Sequence, residues 1–310
     1  MPVCCCRRAF FLNVMIEPWV YWTLLAAVMQ SVRTAGQKVL VADISSVSAT
    51  LVRYLFGLPF AALYLAWLLA SRHWQLPEFN AVFLVSGLFA GVLQIIATVL
   101  LIQLFTLRNF AVGSTFIRTE IVLTALLGFA LFGEAVSLAG WLAMLVCVAG
   151  LVLISLAKTG LVSSLWNQSA VYGLGAGLCF ALTSLLLRQA SLSLGLADAM
   201  FSAALTLMYM VLLQTVITLA WVARWRPGEL TVIATKWRPC LFVGATAVAG
   251  SVGWFTAMTL ELAAYVKTLG QVEFLVSLLI AVYFFKERPS RLELAGMLLI
   301  VLGAVGILLA

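Results

Sequence analysis

Long apolar stretches alternate with short polar breaks along almost the whole of this 310-residue chain. Each stretch holds about 20 residues, the length of α-helix that crosses the roughly 30 Å hydrocarbon layer of a membrane. Several of the breaks hold only a few residues, so neighbouring helices run antiparallel in a compact bundle. The pattern predicts ten membrane-spanning helices, numbered spans 1 to 10, over residues 19–40, 46–70, 80–106, 110–133, 137–157, 170–190, 198–222, 238–260, 263–285 and 292–310.

The second half of the chain repeats the first half. Moving residues 111–157 forward by 153 positions places them, without a gap, on residues 264–310. An apolar background produces chance matches of Leu or Val, but it does not produce paired carboxylates at equal separations. The matched pairs include Glu120 with Glu273, Glu134 with Glu287, Thr115 with Thr268, Phe132 with Phe285 and Gly150 with Gly303.

A weaker match at an offset of 151, which aligns Tyr21 with Tyr172, extends the repeat to all five spans of each half. Because five is an odd number, the second copy enters the membrane in the opposite direction from the first. Such inverted repeats are typical of carriers that expose a mid-membrane site to each side in turn, whereas a channel or a structural bundle does not require them. We predict an all-α integral membrane protein with a tail at 1–18, five-helix repeats at 19–157 and 170–310, and a linker at 158–169.

The composition agrees with a membrane protein and argues against other classes. The chain is 65% hydrophobic and 9% charged, whereas soluble domains are about 25% charged. Its net charge of +7 comes from Lys and Arg scattered through the predicted loops, so we predict no nucleic-acid partner. The sequence has no phosphate-binding GxxxxGK[ST] motif and no zinc-site or CxxC spacing, and the single histidine, His73, has no partner group near it in sequence. We therefore predict no enzymatic activity, no metal and no cofactor.

The N-terminal tail allows two interpretations. Cys4, Cys5 and Cys6 precede Arg7 and Arg8, an arrangement that suits acylation beside a membrane. Alternatively, translation starts at Met15, because the first apolar stretch begins only four residues later. The sequence does not decide between Met1 and Met15, and the tail lacks the features of a cleavable signal peptide.

Ionisable residues inside the membrane are costly and therefore mark candidate functional sites. Glu120 and Glu273 lie about ten residues inside spans 4 and 9, near the middle of the membrane. Span 1 carries three polar residues at i, i+3 and i+7, namely Gln30, Arg33 and Gln37, and one polar helix face of this kind suits the lining of a cavity. Lys38 and Arg188 lie near span ends, so we expect their long side chains to extend to the membrane–water interface. Arg53 lies about two turns inside span 2, so its side chain could either extend to the interface or line a cavity. The predicted substrate- or proton-binding residues are Glu120, Glu273, Arg118, Lys267, Arg33, Gln37 and Gln271.

Each repeat also carries one base near its glutamate. Arg118 precedes Glu120 by two residues, which is roughly 200° around a helix, so the two are not a local ion pair. In the second repeat the base is Lys267, one turn before Gln271, the counterpart of Arg118. Because the bases differ, we do not expect the two carboxylates to do identical work.

Three roles remain open for Glu120 and Glu273. A carboxylic acid surrounded by hydrocarbon takes up a proton more readily than one in water, which suits a proton carrier. An ionised carboxylate suits the binding of a cationic or amine-bearing substrate. The third role is structural, in which each glutamate bonds to a neighbouring helix and holds the bundle together.

The two halves resemble a known superfamily. Each has five spans and ends with an apolar run, a glutamate and a further Gly-rich apolar helix, as seen from Glu120–Glu134 through Ala157 and from Glu273–Glu287 through Ala310. This pattern resembles the drug/metabolite transporter superfamily and, within it, the EamA-like permeases. Repeats of that family often carry Glu-Pro in these spans, whereas Ile121 and Phe274 follow the glutamates here, so a proline kink is not expected.

The resemblance implies secondary transport without ATP, commonly export of amino acids, other metabolites or drugs, by a monomer or homodimer in a bacterial inner membrane. Bases outnumber acids within the spans, which favours a small substrate that carries a carboxylate or a phosphate. The leading hypothesis is therefore proton-coupled or facilitated export of a small polar metabolite such as an amino acid. A broad drug exporter, suggested by aromatic residues such as Trp254 and Phe255, and a non-transporting membrane scaffold are the alternatives.

The orientation in the membrane stays open. Most basic loop residues lie on the side opposite the two termini, among them Lys158, Arg224 and Lys286. By the positive-inside rule this distribution places both termini outside the cell. The family resemblance implies that both termini lie in the cytoplasm.

Overall fold

The computed structural model describes the backbone of residues 17–40, 44–72, 76–105, 116–159, 168–276, 279 and 290–310; the side chains of 35–40, 72, 105, 158 and 159 are outside this description. The described residues form helices and no strand. The helices are α1 (Pro18–Leu40), α2 (Ser46–Leu55), α3 (Leu58–Arg72), α4 (Ala81–Phe105), α5 (Glu120–Phe132), α6 (Leu138–Thr159), α7 (Gln168–Ser193), α8 (Ala199–Trp225), α9 (Pro227–Thr235), α10 (Trp237–Leu260), α11 (Ala263–Leu269) and α12 (Arg291–Leu308).

The fold is that of a multi-pass membrane protein. Within the described residues, 7 helical segments are long and apolar enough to cross a membrane, and α5 is a shorter apolar helix. The first of these segments, Ser46–Ser71, contains α2 and most of α3, which a break at Phe56 and Gly57 separates. Seven predicted spans coincide with single helices to within about three residues. The count of ten remains a prediction, because spans 4 and 9 extend into residues that the structure does not describe.

The pairing of the helices follows the repeat. α1 packs along α10, and α4 packs along α7. Each of these pairs joins the first span of one half to the third span of the other half, so the repeat converts one pair into the other. α6, the last span of the first half, packs along α12, the last span of the second half. The α6–α12 contact is close because its glycines have no side chain: a Cβ on Gly303 would lie 2.8 Å from the carbonyl oxygen of Ala143. Small residues are the usual means of close helix packing in lipid. The arrangement is the one that two inverted repeats require.

The first and last helices have their outer ends on one side of the bundle, which we call the terminal face. α10 is antiparallel to α1, since Gly253 near its end lies against Trp22 near the start of α1. The hydroxyl of Tyr265, shortly after α10, lies 3.1 Å from Oγ of Ser137, just before α6, so α6 begins on the same side. α12 runs antiparallel to α6 and therefore ends at the terminal face.

Apolar side chains occupy both the core and the outside of the bundle. Ile121, Met144 and Ile300 are buried in the largest core cluster. Other large apolar side chains such as Leu63 and Phe129 are exposed on the helices, as a lipid-facing surface requires. Polar groups within the spans consequently lie against one another or in an internal cavity.

One prediction about a connection is wrong. Residues 224–238, predicted as a loop, contain α9, which starts with Pro227 at a position where proline favours a helix. Oε2 of Glu229 accepts hydrogen bonds from the backbone N (3.0 Å) and Oγ (2.7 Å) of Ser45, at the start of α2. Partial burial raises the pKa of Glu229, but hydrogen bonds, those from Ser45 among them, and the charge of Arg226 outweigh it, so its pKa lies below the usual value. α9 is thus tied to α2 at the end opposite the terminal face.

Candidate functional site

A cavity of about 210 Å³ lies between the two repeats. Helices of both repeats contribute to its wall. The contributing elements are α1, α2, α4, the start of α5, α7, α10, α11 and the segment after α11. All six charged residues of the described lining belong to predicted membrane spans. The charged residues of the lining are Arg33, Arg53, Arg118, Glu120, Lys267 and Glu273.

Both cavity glutamates directly follow an interruption of their helix. In the first repeat Arg118 lies in a turn, and α5 begins at Glu120. In the second repeat α11 gives way to a 3₁₀ turn at Gly270–Val272, and Glu273 follows. The two interruptions coincide under the 153-residue offset. A stretch of 3₁₀ turn within a longer helix often marks a functional position.

The prediction of continuous helices through Glu120 and Glu273 is therefore wrong. In the first repeat Thr119 bonds back to the carbonyl of Phe116 through both its backbone N (3.2 Å) and its Oγ1 (2.6 Å), which tightens the chain into a turn. In the second repeat the indole of Trp254 fills the position that a Cβ on Gly270 would occupy.

Each glutamate is paired with the base of the other repeat. Nζ of Lys267 lies 2.5 Å from Oε1 of Glu120, and Nη1 of Arg118 lies 3.1 Å from Oε1 of Glu273. All four side chains are largely buried. The expectation that no base pairs with the glutamate of its own helix agrees with this geometry. Two reciprocal ion pairs therefore connect the repeats across the cavity.

Further hydrogen bonds hold the Arg118–Glu273 pair in place. Oε2 of Glu273 accepts a hydrogen bond of 2.6 Å from Nε2 of Gln30, and Oε1 of Gln30 accepts one of 3.0 Å from the indole of Trp254. Nη1 of Arg118 also donates to Oε1 of Gln271 at 3.2 Å. The carboxylate thus has donors from α1 and from the broken helix of the first repeat, which fixes its orientation.

Aromatic rings lie beside both paired bases. The guanidinium of Arg118 lies 4.2 Å from the ring centre of Phe274. Nζ of Lys267 lies 5.2 Å from the ring of Trp254 and 5.7 Å from that of Phe180. Cation–π contacts of this length stabilise a positive charge away from bulk water.

Arg33 and Arg53 line the cavity without a carboxylate partner within the described part of the chain. Each is only 7% exposed. Nη1 of Arg53 donates a long hydrogen bond of 3.4 Å to Thr98, while Nε of Arg33 is buried and has no hydrogen-bond partner. Among the residues that the structure describes, four cations and two carboxylates line the cavity, so this part of its wall is positive overall.

The structure brings most of the predicted site residues together. Five of them line the cavity, and Gln271 supports Arg118 from behind. The side chain of Gln37 is outside the described part of the chain. Arg53 and Trp254 were not among the predicted site residues; the signal for Arg53 was a cation two turns inside a span, and nothing distinguished Trp254 from a packing residue. Among the described residues, no group of three or more His, Cys, Asp or Glu is placed to hold a metal ion.

Arg188 does not reach outward to the interface as predicted. Its Nε donates to Oε1 of Glu134 at 2.8 Å, and its Nη1 donates to the carbonyls of Met258 and Glu261, both at 2.6 Å. The unpaired carbonyls at the end of α10 attract the guanidinium into the bundle. We call this set the Arg188 latch. It lies between the cavity, which Leu187 and Met258 line, and the terminal face.

The EamA-like transporter family matches the chain over residues 17–156 and again over residues 167–309. The chain belongs to the EamA-like transporter family. The resemblance drawn from the sequence is confirmed, and this EamA-like protein is a membrane transporter of the drug/metabolite type, from a family of transporters rather than of enzymes. Its setting is the lipid bilayer and its substrate is a small molecule.

A solved structure described only as "Crystal structure of protein" is similar to this EamA-like protein. The TM-score is 0.67 at 16% sequence identity, and the alignment covers 93% of this chain and 94% of the other. At that identity the similarity shows a shared fold and nothing about substrates. No curated protein matches the chain significantly.

Proposed function

We propose that this EamA-like protein is a secondary active transporter that exports a small polar metabolite, such as an amino acid, through the cavity between its repeats. The observation that carries the proposal is that Glu120 and Glu273, each directly after a short turn in its span, line one polar cavity. A buried cluster of six ionisable side chains destabilises a purely structural bundle, which argues against a non-transporting scaffold.

The size and polarity of the cavity favour a metabolite over a drug. Its volume of about 210 Å³ is below the roughly 300–1,000 Å³ typical of pockets for drug-sized ligands. A broad drug exporter would also require a mainly apolar and aromatic wall, whereas charged side chains from both repeats face this cavity. The drug exporter remains the second candidate because Trp254, Phe255 and Phe274 contribute aromatic surface.

Alternating access supplies the mechanism that the contacts support. The pairs Lys267–Glu120 and Arg118–Glu273 join the two repeats, so a movement of one repeat against the other strains or breaks them. The Arg188 latch closes the route from the cavity to the terminal face. Opening on that side requires Arg188 to leave Glu134 and the end of α10. Substrate binding would shift the balance between these states.

Proton coupling would act through the same ion pairs. A proton on Glu120 or Glu273 removes one partner of a cross-repeat pair and leaves the base uncompensated. Protonation therefore changes the cavity charge and weakens a contact between the repeats at the same time. Facilitated transport, without this step, is the alternative.

The test is uptake of radiolabelled amino acids and related small metabolites into proteoliposomes of the purified protein, with and without a pH gradient. We expect uptake that responds to the gradient and loses that response in Glu120→Gln and in Glu273→Gln. Glu78→Gln, which changes a carboxylate before α4, outside the cavity, is the matched control and should behave like the parent chain.

Each other result has a defined meaning. If uptake and its pH response survive both cavity substitutions, the proton-carrier role is wrong. If uptake is absent for metabolites while the chain restores drug resistance to a sensitive host, the second candidate is correct.

A further inference from the structure

The ion pairs of the cavity leave two guanidiniums without a directly paired carboxylate, although the charge of Glu273, which is paired with Arg118, also acts on Arg33. Glu120 neutralises Lys267, and Glu273 neutralises Arg118. Arg33 and Arg53 have no carboxylate partner in the described part of the chain, although both are 7% exposed. A buried guanidinium without a paired carboxylate destabilises the fold. The presence of two such guanidiniums in one small cavity indicates that their positive charge has a function.

The two guanidiniums are available to a ligand. Arg33 comes from α1 and Arg53 from α2, and both side chains line the same cavity. Within the described residues, Nε of Arg33 has no hydrogen-bond partner, and Arg53 makes only the 3.4 Å bond to Thr98 besides its 5.4 Å contact with the ring of Tyr54. The planar guanidinium offers paired donors that match the two oxygens of a carboxylate or a phosphate.

We propose that Arg33 and Arg53 form the subsite for the anionic end of the substrate, and that the substrate carries two negative charges, on one phosphate or on two carboxylates. This inference rests on the proposed function, since it concerns the ligand of the same cavity. Among amino-acid-like metabolites it selects those with two carboxylates. A neutral amino acid would compensate only one guanidinium, and its ammonium group would compete with Lys267 and Arg118 for glutamates that are already paired.

The test measures binding by thermal unfolding of the purified full chain in detergent, with four separate probes: glycerol 3-phosphate, succinate, glutamate and alanine. We expect at least one of the three probes that carry two negative charges to raise the unfolding temperature and alanine not to do so. The phosphate arm and the two dicarboxylate arms distinguish the two sources of negative charge. A chain stabilised by alanine, or by none of the probes, contradicts the proposal.

Substitutions locate the bound anion. Arg33→Gln and Arg53→Gln should each weaken binding of the active probe at least about tenfold, because each removes charge-assisted hydrogen bonds. Arg33→Lys keeps the charge but loses the paired donors and should fall between the parent chain and Arg33→Gln. The matched control is Arg224→Gln, which removes an exposed arginine stacked on Trp225 and should bind normally. Normal binding in Arg33→Gln and Arg53→Gln would overturn the subsite.

The unfolding temperature without a probe separates this role from a structural one. Because Arg33 and Arg53 are buried without a counter-ion, their replacement by Gln should leave that temperature unchanged or raise it. Arg118→Gln, which breaks an ion pair, should lower it. If Arg33→Gln lowers it as much as Arg118→Gln does, Arg33 is structural and the proposal fails. The assay needs no transport, so normal binding with no uptake into vesicles would contradict the proposed function and leave the subsite intact.

Discussion

Lys267 and Glu120 form a 2.5 Å ion pair between the two repeats of this EamA-like protein. The pair of Arg118 with Glu273 reproduces this contact with the roles of the repeats exchanged. Arg118 and Lys267 do not occupy corresponding positions, because the 153-residue offset places Arg118 on Gln271. In both pairs the glutamate of one repeat binds the base of the other repeat, so the contacts are symmetric although the bases lie at different positions of the two repeats.

The Lys267–Glu120 pair should behave as one unit in a double-mutant cycle. Glu120→Gln and Lys267→Met each leave one charge buried without a partner, so each should lower the free energy of unfolding by about 2 kcal/mol, less than in a dry core because the cavity admits water. The double substitution should recover most of that loss. Thermal unfolding in detergent measures all three variants. Strictly additive losses would show that the pair contributes nothing as a pair.

The break before Glu273 should depend on Gly270. A Cβ at that position meets the indole of Trp254, so Gly270→Ala should displace the ring, move the Lys267–Glu273 segment and lower the free energy of unfolding by about 1–3 kcal/mol. Gly228→Ala is the matched control, since nothing lies within 4 Å of its added carbon. We expect that control to unfold at the temperature of the parent chain or slightly above it. Equal behaviour of the two variants would contradict a close contact at Gly270.

The Arg188 latch should control access to the cavity from the terminal face. Arg188→Gln leaves Glu134 and two carbonyls of the α10 end without their donor, so the latched state should lose population. The measurement is the rate at which a water-soluble maleimide labels Met258→Cys, in a chain whose 6 native cysteines are replaced by alanine. We expect labelling to become several-fold faster. Arg224→Gln, at the other end of the bundle, should leave the rate unchanged, and an unchanged rate in Arg188→Gln would refute the latch.

Glu229 should make stability depend on pH below neutrality. Its pKa in the folded chain is lowered, so its carboxylate stabilises the fold above the unfolded value of about 4.3, and this contribution disappears as the pH falls through the lower folded value. Glu229→Gln should therefore be less stable than the parent at pH 7 and should approach it at pH 3. Unfolding temperatures across this range provide the measurement. Glu78→Gln, which removes a carboxylate outside these contacts, is the matched control and should unfold at the temperature of the parent chain at pH 7.

Hydrophobic patterning was sufficient to predict the membrane class and most helix bounds, whereas the family resemblance also needed the repeated glutamates. Stretches of about 20 apolar residues have few stable conformations in lipid other than a spanning helix, because every backbone polar group must be satisfied within the segment. The repeat of Glu120 at Glu273 pointed to the cavity for a similar reason, since charges are rare in such segments. α9 was missed because its polar first turn and its proline resemble a loop when only hydrophobicity is considered.

The partners of the charged residues depended on the tertiary structure. Periodicity showed that Arg118 and Glu120 lie on different faces of one helix, but only the packing of one repeat against the other brought Arg118 to Glu273 and Lys267 to Glu120. The same packing placed Trp254 against Gly270, at the point where α11 gives way to a 3₁₀ turn in a span that apolar patterning predicted as a continuous helix. Hydrophobicity along a chain decides which segments enter the membrane, whereas the ion pairs depend on contacts between segments distant in sequence, and those contacts form only when the repeats pack together.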